Sequence, residues 1–224
     1  MSLRQTLFAS LLLTIVSGAG AAPAYAGAVQ LTSAAQLDPG AVVVTYPAEL
    51  GDFPASPLSL SAGGDTLLLS SAGLNFERFT SDGVTYDFPV TTTLLDIVSN
   101  GPLTMSFGNG ALELGLRAQN NFPGSDTFSF TAYSGASLLG SFSVGPTAEG
   151  LSSFIGVRAT AGDVITRLVI SGESSTGINN DFSFGPISFV AAPEPVPEPA
   201  TMILLGTGLA GVAAKARKRR AQAR

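Results

Sequence analysis

Apolar and polar residues alternate with a period of two through much of the chain, most plainly in its second half. Phe128, Phe130 and Ala132 fall on one side, with Ser129 and Thr131 on the other. Phe142 and Val144 alternate with Ser141 and Ser143, Phe182 and Phe184 flank Ser183, and Ile187 and Phe189 flank Ser188. A period of two is the pleat of a β-strand with one buried and one wet face. Segments rich in Val, Thr, Phe and Leu recur along the chain, broken by Gly, Pro, Asn or Ser. This spacing predicts strands at Val42–Tyr46, Thr66–Ser70, Asn75–Thr80, Thr85–Phe88, Leu94–Ser99, Leu103–Phe107 and Leu112–Ala118. Further strands are predicted at Thr127–Tyr133, Leu138–Val144, Phe154–Ala159, Val164–Ser171, Asp181–Phe184 and Ile187–Val190. Gly108-Asn109-Gly110 reads as a turn between two of them, and Phe128, Phe130, Phe182 and Phe184 as core. No stretch of the body sustains a helical period. The expected fold is all-β, a two-sheet antiparallel sandwich of jelly-roll-like type.

Both ends break this pattern. At the N-terminus, Arg4 precedes an apolar run from Leu7 to Val16, and Ala24-Tyr25-Ala26 follows. That order of charge, apolar stretch and small residues is a secretory signal peptide over residues 1–26, a signal helix cut before Gly27. Ala24 and Ala26 are the two side chains signal peptidase would read; Ala22-Pro23-Ala24 is a second option. A short buried helix is the competing reading, and the small-residue ending argues against it.

At the other end, the 193–199 segment carries Pro193, Pro195, Pro197 and Pro199. Proline fixes φ and removes a donor, so this is an extended linker closing a domain of residues 27–192. Residues 200–214 are apolar apart from Thr201 and Thr207, and the basic end, 215–224, follows with Lys215, Arg217, Lys218, Arg219, Arg220 and Arg224.

Composition sharpens the contrast. The chain has no Cys, His or Trp, and its only lysines are Lys215 and Lys218. Between Gly27 and Ala192 stand fourteen acids against Arg78, Arg117, Arg158 and Arg167, a body charge of −10 inside a chain whose net charge is −5. A lysine-free acidic body repels phosphate backbones, so no nucleic acid is expected as a partner.

A helix over 200–214 would span roughly 22 Å against a hydrocarbon core of about 30 Å. Local thinning and snorkelling of Lys215 and its neighbours can make up the difference. The positive-inside rule keeps Lys215, Arg217, Lys218, Arg219 and Arg220 cytoplasmic as a stop-transfer cluster. The signal peptide sends the body across the inner membrane, so both ends give one topology: body outside, basic end inside. A buried C-terminal helix of the domain is the alternative, and a proline hinge with a basic terminus does not suit one.

In the order of its parts, Val196-Pro197-Glu198-Pro199-Ala200-Thr201, then a short Gly-containing apolar helix, then Lys and Arg, the tail resembles the PEP-CTERM sorting signal of certain Gram-negative bacteria. The resemblance implies handling by exosortase, a membrane-embedded, transpeptidase-like processing enzyme, with Val196, Pro197, Glu198 and Pro199 as the sorting motif. The runs Phe154–Arg158, Ile165–Ile170 and Asn180–Phe184 also resemble the last three strands of β-sandwiches carried by such proteins. The resemblance implies no settled activity for that domain.

The body offers little chemistry. Without His or Cys there is no Ser-His-Asp triad, thiol nucleophile or usual zinc site, and without Lys no Schiff base. A carboxylate pair for glycoside cleavage is the remaining enzymatic option, but Asp82, Asp87, Asp126, Asp163 and Asp181 read more simply as turn and strand-edge residues. Asn179-Asn180-Asp181 is a candidate oxygen cluster for calcium, or a polar turn. Tyr46, Tyr86 and Tyr133 are the phenols a sugar could stack on, and cross-strand packing is their other role. The expectation is a non-enzymatic, exported surface or extracellular-matrix protein without cofactor or metal, transiently anchored, processed by exosortase, then left at the cell surface or released. The alternative is a carbohydrate-binding module for exopolysaccharide.

Overall fold

The structure, a computed structural model, describes residues 27–73, 75–97, 101–121 and 124–193. In chain order the strands are β1 (Gly27–Leu31), β2 (Val42–Val44), β3 (Leu58–Ala62), β4 (Asp65–Ser70), β5 (Phe76–Thr80), β6 (Thr93–Ile97) and β7 (Leu103–Asn120). Then come β8 (Asp126–Ser134), β9 (Ser137–Thr147), β10 (Ser153–Thr160), β11 (Ile165–Ser174), β12 (Phe182–Phe184) and β13 (Ile187–Ala191). All pairings are antiparallel, and the described residues hold no α-helix. The signal helix and the membrane helix read from the sequence lie outside the described residues. No helix among the described residues is long and apolar enough to cross a membrane.

The organising element is β7. Its first half lies between β4 and β11, and its second half lies between β10 on one edge and β13 followed by β12 on the other. The register slips where β7 passes β11, between Ile165 opposite Ala111 and Arg167 opposite Ser106. The extra residues are Gly108, Asn109 and Gly110, with Gly110 at φ 92. The expected turn is therefore a bulge inside one 18-residue strand. A bulge unpairs residues, bends the strand and raises its twist, which lets one strand serve two layers. Asp65 holds the bend, its Oδ1 accepting the Asn109 N–H at 2.8 Å and its own neighbour Thr66 N–H at 2.7 Å.

One layer is thus β3-β4-β7-β11-β8-β9, and the other is β5-β6-β12-β7-β10-β1 with β2 beside β13. Side chains from both meet in a single core. Phe128 packs on Phe182 at 5.3 Å between ring centroids, and Phe107 on Phe189 at 5.4 Å. Phe128, Phe130, Phe182 and Phe184 are all at most 1% exposed, as the alternation predicts.

Three local expectations are corrected. Residues 85–88 form no strand: they belong to a loop between β5 and β6, bent by Asp82. Strands β1 and β3 were not anticipated; β3 pairs with β4 through Gly63-Gly64, at φ 60 and 79, a two-residue turn only glycine enters freely. The three runs likened to final strands fall on β10, β11 and β12, and β13 follows them.

Candidate functional site

Each acid singled out in the sequence has a structural partner. Asp82 folds the 81–92 loop, its Oδ1 accepting the N–H groups of Val84 and Thr85 at 2.9 and 2.8 Å and its Oδ2 the Thr85 hydroxyl. These bonds hold its carboxyl down at about 2. Asp87 clamps the same loop to the body. Its Oδ2 accepts the Ser152 N–H at 3.1 Å, the Ser152 hydroxyl at 3.0 Å and Arg117 Nη2 at 3.3 Å. Gln119 completes the clamp, accepting the Asp87 N–H and donating to the Thr85 carbonyl. Asp126 is buried on Asn120, and Asp163 accepts the N–H of Gly27, the residue expected to begin the mature chain.

Asp181 joins an acidic latch. The Ser183 hydroxyl donates to Asn121 Oδ1 at 2.8 Å, which turns the amide so that Nδ2 donates to both Asp96 and Asp181, each at 2.6 Å. Asp96 sits on β6 opposite Glu77 of β5 and Ser183 of β12. Burial pushes its carboxyl up to about 6, against the Asn121 hydrogen bond, with Asp181 and Glu77 adding to the rise. Thr85, Tyr86, Gln119, Asn120, Asn121 and Glu149 line an open depression beside the latch. Asp181 Oδ1 accepts from Asn121, and Asn180 is engaged with Gly172. Asn180, at φ 57, donates its N–H to the Gly172 carbonyl and accepts the Gly172 N–H through Oδ1, a polar turn. No group of three or more Asp or Glu placed to hold a metal ion occurs among the described residues.

The three phenols separate. Tyr46 is 1% exposed, edge-on to Phe184, and its hydroxyl donates to the Gly185 carbonyl at 2.8 Å. Tyr86 leans on Phe79 at 5.0 Å. Tyr133 is half-buried on the outer face of β8, with the Arg167 guanidinium carbon 4.2 Å from its ring centroid.

That outer face is built by the polar half of the period-two pattern. One row across the layer reads Leu138, Tyr133, Arg167, Ser106, Leu68 and Ser59 on β9, β8, β11, β7, β4 and β3. The next reads Ser141, Thr131, Val169, Thr104 and Ser70. These rows mix hydroxyls with the exposed aliphatic side chains of Leu138 and Leu68 and hold one cation, on a body otherwise dominated by carboxylates. The signal was partly present in the sequence, since Ser129, Thr131, Ser141 and Ser143 alternate with core-side Phe, Ala and Val. What alternation alone does not supply is the register that lines them up and places Arg167 beside Tyr133.

The sequence-derived cleavage residues Ala24 and Ala26, the motif Val196, Pro197, Glu198 and Pro199, and the cluster Lys215, Arg217, Lys218, Arg219 and Arg220 lie outside the described residues. The chain divides into two compact units, one ending at Ala192 and one formed by Pro193–Arg224.

No curated protein matches the chain. Among solved structures, a carbohydrate-binding module from Clostridium stercorarium in complex with cellobiose is 17% identical, over 55% of this chain and 87% of that one, with a TM-score of 0.31. A family 29 carbohydrate-binding module is 12% identical over 59% of this chain and 98% of that one, with a TM-score of 0.27. An arabinoxylan arabinofuranohydrolase from Bacillus subtilis is 16% identical over 55% and 27%, with a TM-score of 0.31. Similarity of this degree carries no argument about ligand or activity. The tail gives the firm assignment: residues 192–220 match the family described as the PEP-CTERM protein-sorting motif, and the chain carries that signal.

Proposed function

We propose that this is an exported, non-enzymatic surface or matrix protein, delivered by its leader, held briefly by its tail, and processed by exosortase. The observation that carries the reading is the sorting motif at residues 192–220, which begins where the compact β unit ends at Ala192. Signal peptidase cuts after Ala26, leaving Gly27 to start β1. Residues 200–214 cross the inner membrane, and the basic end stops transfer. The non-enzymatic reading rests on the absence of His and Cys and on the structural partners of the acids already described. Mass spectrometry of the protein recovered from outside the cell tests the scheme. Two new termini are expected, Gly27 at the front and a residue near Pro197–Pro199 at the back. An intact C-terminus ending at Arg224 would overturn the processing step.

A second reading is favoured by one specific feature, the hydroxyl-lined outer face carrying Tyr133 and Arg167: the body binds carbohydrate outside the cell. Binding to a glycan array separates it from a purely structural role.

A further inference from the structure

We infer that the outer face of the β3-β4-β7-β11-β8-β9 layer is a binding surface for an acidic oligosaccharide, anchored at Arg167 and Tyr133. The inference rests on the carbohydrate reading above and adds to it the site and the ligand class. Of the four arginines in the body, two are neutralised: Arg117 pairs with Asp87 at 3.3 Å and Arg158 with Glu113 at 2.6 Å. Arg78 donates its Nε to the Tyr46 carbonyl at 3.0 Å. Among the described residues Arg167 has neither an ion pair nor a hydrogen bond; its Nε is buried without a partner, and its guanidinium is held against the Tyr133 ring. Cross-strand register fixes that stack, because Arg167 stands directly opposite Tyr133 on one side and Ser106 on the other.

With Nε buried, the donors left for a ligand are the N–H groups of the two terminal nitrogens, and the fork they form matches a carboxylate. The ring itself offers an apolar edge to the C–H face of a sugar. Around this anchor the surface presents hydroxyls on neighbouring strands, which lie about 4.8 Å apart. Thr131 and Ser141 already bond to each other at 3.1 Å, while the hydroxyls of Thr104, Ser106 and Ser129 make no hydrogen bond to other described residues. Hydroxyls that both donate and accept suit sugar hydroxyls better than they suit an apolar partner. Charge selects the kind of sugar. A body at −10 repels a dense polyanion, and Arg167, separated from the exposed Glu173 by Val169 and Ser171 on the same face of β11, accommodates a single carboxylate. The ligand class is therefore an oligosaccharide in which a uronic acid alternates with neutral sugars.

The test is titration calorimetry of the full chain in detergent with a hexasaccharide alternating glucuronate and neutral sugar, and with the same hexasaccharide after reduction of its carboxyls. The site predicts binding of the acidic form, at least tenfold weaker binding of the reduced form, and a matching loss in Arg167→Gln with the circular dichroism of the parent. Affinity should also fall as salt rises. If Arg167→Gln does not fold, Thr131→Tyr carries the test by filling the face, and loss of binding is again expected. Equal affinity for both forms, or full binding by a folded Arg167→Gln or Thr131→Tyr, overturns this site while the carbohydrate reading stands. No binding of either hexasaccharide, with no signal on an array of neutral glycans, removes both.

Discussion

The rings of Phe128 on β8 and Phe182 on β12 meet edge to face, with planes at 86° and centroids 5.3 Å apart. The two strands are not hydrogen-bonded neighbours; they belong to different layers, so this contact is core packing across the sandwich. Phe182 goes on to Phe184 at 6.4 Å, and Phe184 to Tyr46 and Phe76. The aromatic chain thus joins β8, β12, β5 and the segment after β2.

Phe128→Ala and Phe182→Ala should each destabilise the body by about 3–5 kcal/mol, since truncating a fully buried ring loses transfer energy and leaves a cavity. The double variant should cost less than the sum, by about 0.5–1.5 kcal/mol, the range measured for aromatic pairs. Chemical denaturation of residues 27–192, which should fold alone and give a β-type far-UV spectrum, measures both. Strict additivity would remove the direct contact.

Stability should decline as pH rises from about 4 to about 6. The Asp96 carboxyl is raised from 3.8 to about 6, mainly by burial. In that window the folded state keeps a proton that the unfolded chain releases, so each step up in pH favours unfolding. Below it both states are protonated and the penalty vanishes; above it the penalty is complete. Asp126, also raised by burial, acts in the same direction. Asp82 does not oppose them there, because its lowered carboxyl near 2 contributes above 3.8 and loses that contribution only as pH falls further. Asp96→Asn should raise the melting temperature at pH 7 and flatten the profile between pH 4.5 and 7. Thermal melts across that range decide it, and an unchanged slope would count against the buried latch.

The clamp on the 81–92 loop gives a local prediction. Asp87→Ala removes the acceptor of the Ser152 N–H, the Ser152 hydroxyl and the exposed Arg117, but the Ser152 hydroxyl keeps the Asp87 backbone carbonyl as a partner. The cost to global stability should be small, about 1 kcal/mol. Hydrogen exchange should nonetheless speed up at Ser152 and through residues 81–92, while β8 and β11 keep their protection. Unchanged exchange in the loop would show that Gln119 holds it unaided.

The fold class was legible because period-two alternation reports a pleated, half-buried backbone directly. Phe128, Phe130, Phe182 and Phe184 were placed in the core by that signal alone. What it missed has physical causes. Glycines normally end strands, so Gly108-Asn109-Gly110 read as a turn, yet with Asp65 beneath them they bend β7 without breaking it. Thr85–Phe88 has strand composition, but Asp82 captures the local N–H groups before a ladder can form. Strand β3 alternates Leu with Ser in a weak five-residue pattern, and its turn of two glycines only becomes a hairpin signal once β4 is known. The exposed face escaped for another reason: serine and threonine on a wet face are ordinary, and only register gathers them around Arg167.

The tail supports the most decisive experiment. Between Val196 and Lys215 the only charged residue is Glu198, set between Pro197 and Pro199 within the sorting motif at 192–220. If residues 200–214 anchor the chain by apolarity, anchoring and recognition should separate by mutation. Leu209→Arg places a charge mid-span, at a cost of about 2.5–3.5 kcal/mol on insertion scales. That variant should lose the membrane fraction and appear outside at full length. Replacing Lys215, Arg217, Lys218, Arg219 and Arg220 by Gln should weaken retention in the same direction, because nothing then holds the end in the cytoplasm. Glu198→Ala, with both prolines kept, leaves the apolar stretch and the basic end untouched, so the protein should still fractionate with membranes. If Glu198 is the group the processing enzyme reads, the variant should no longer be shortened or released. Cell fractionation with an antibody to the body, in a host containing exosortase, distinguishes the three. A Glu198→Ala protein shortened and released like the parent would show that cutting does not read this residue, leaving the tail as an anchor only.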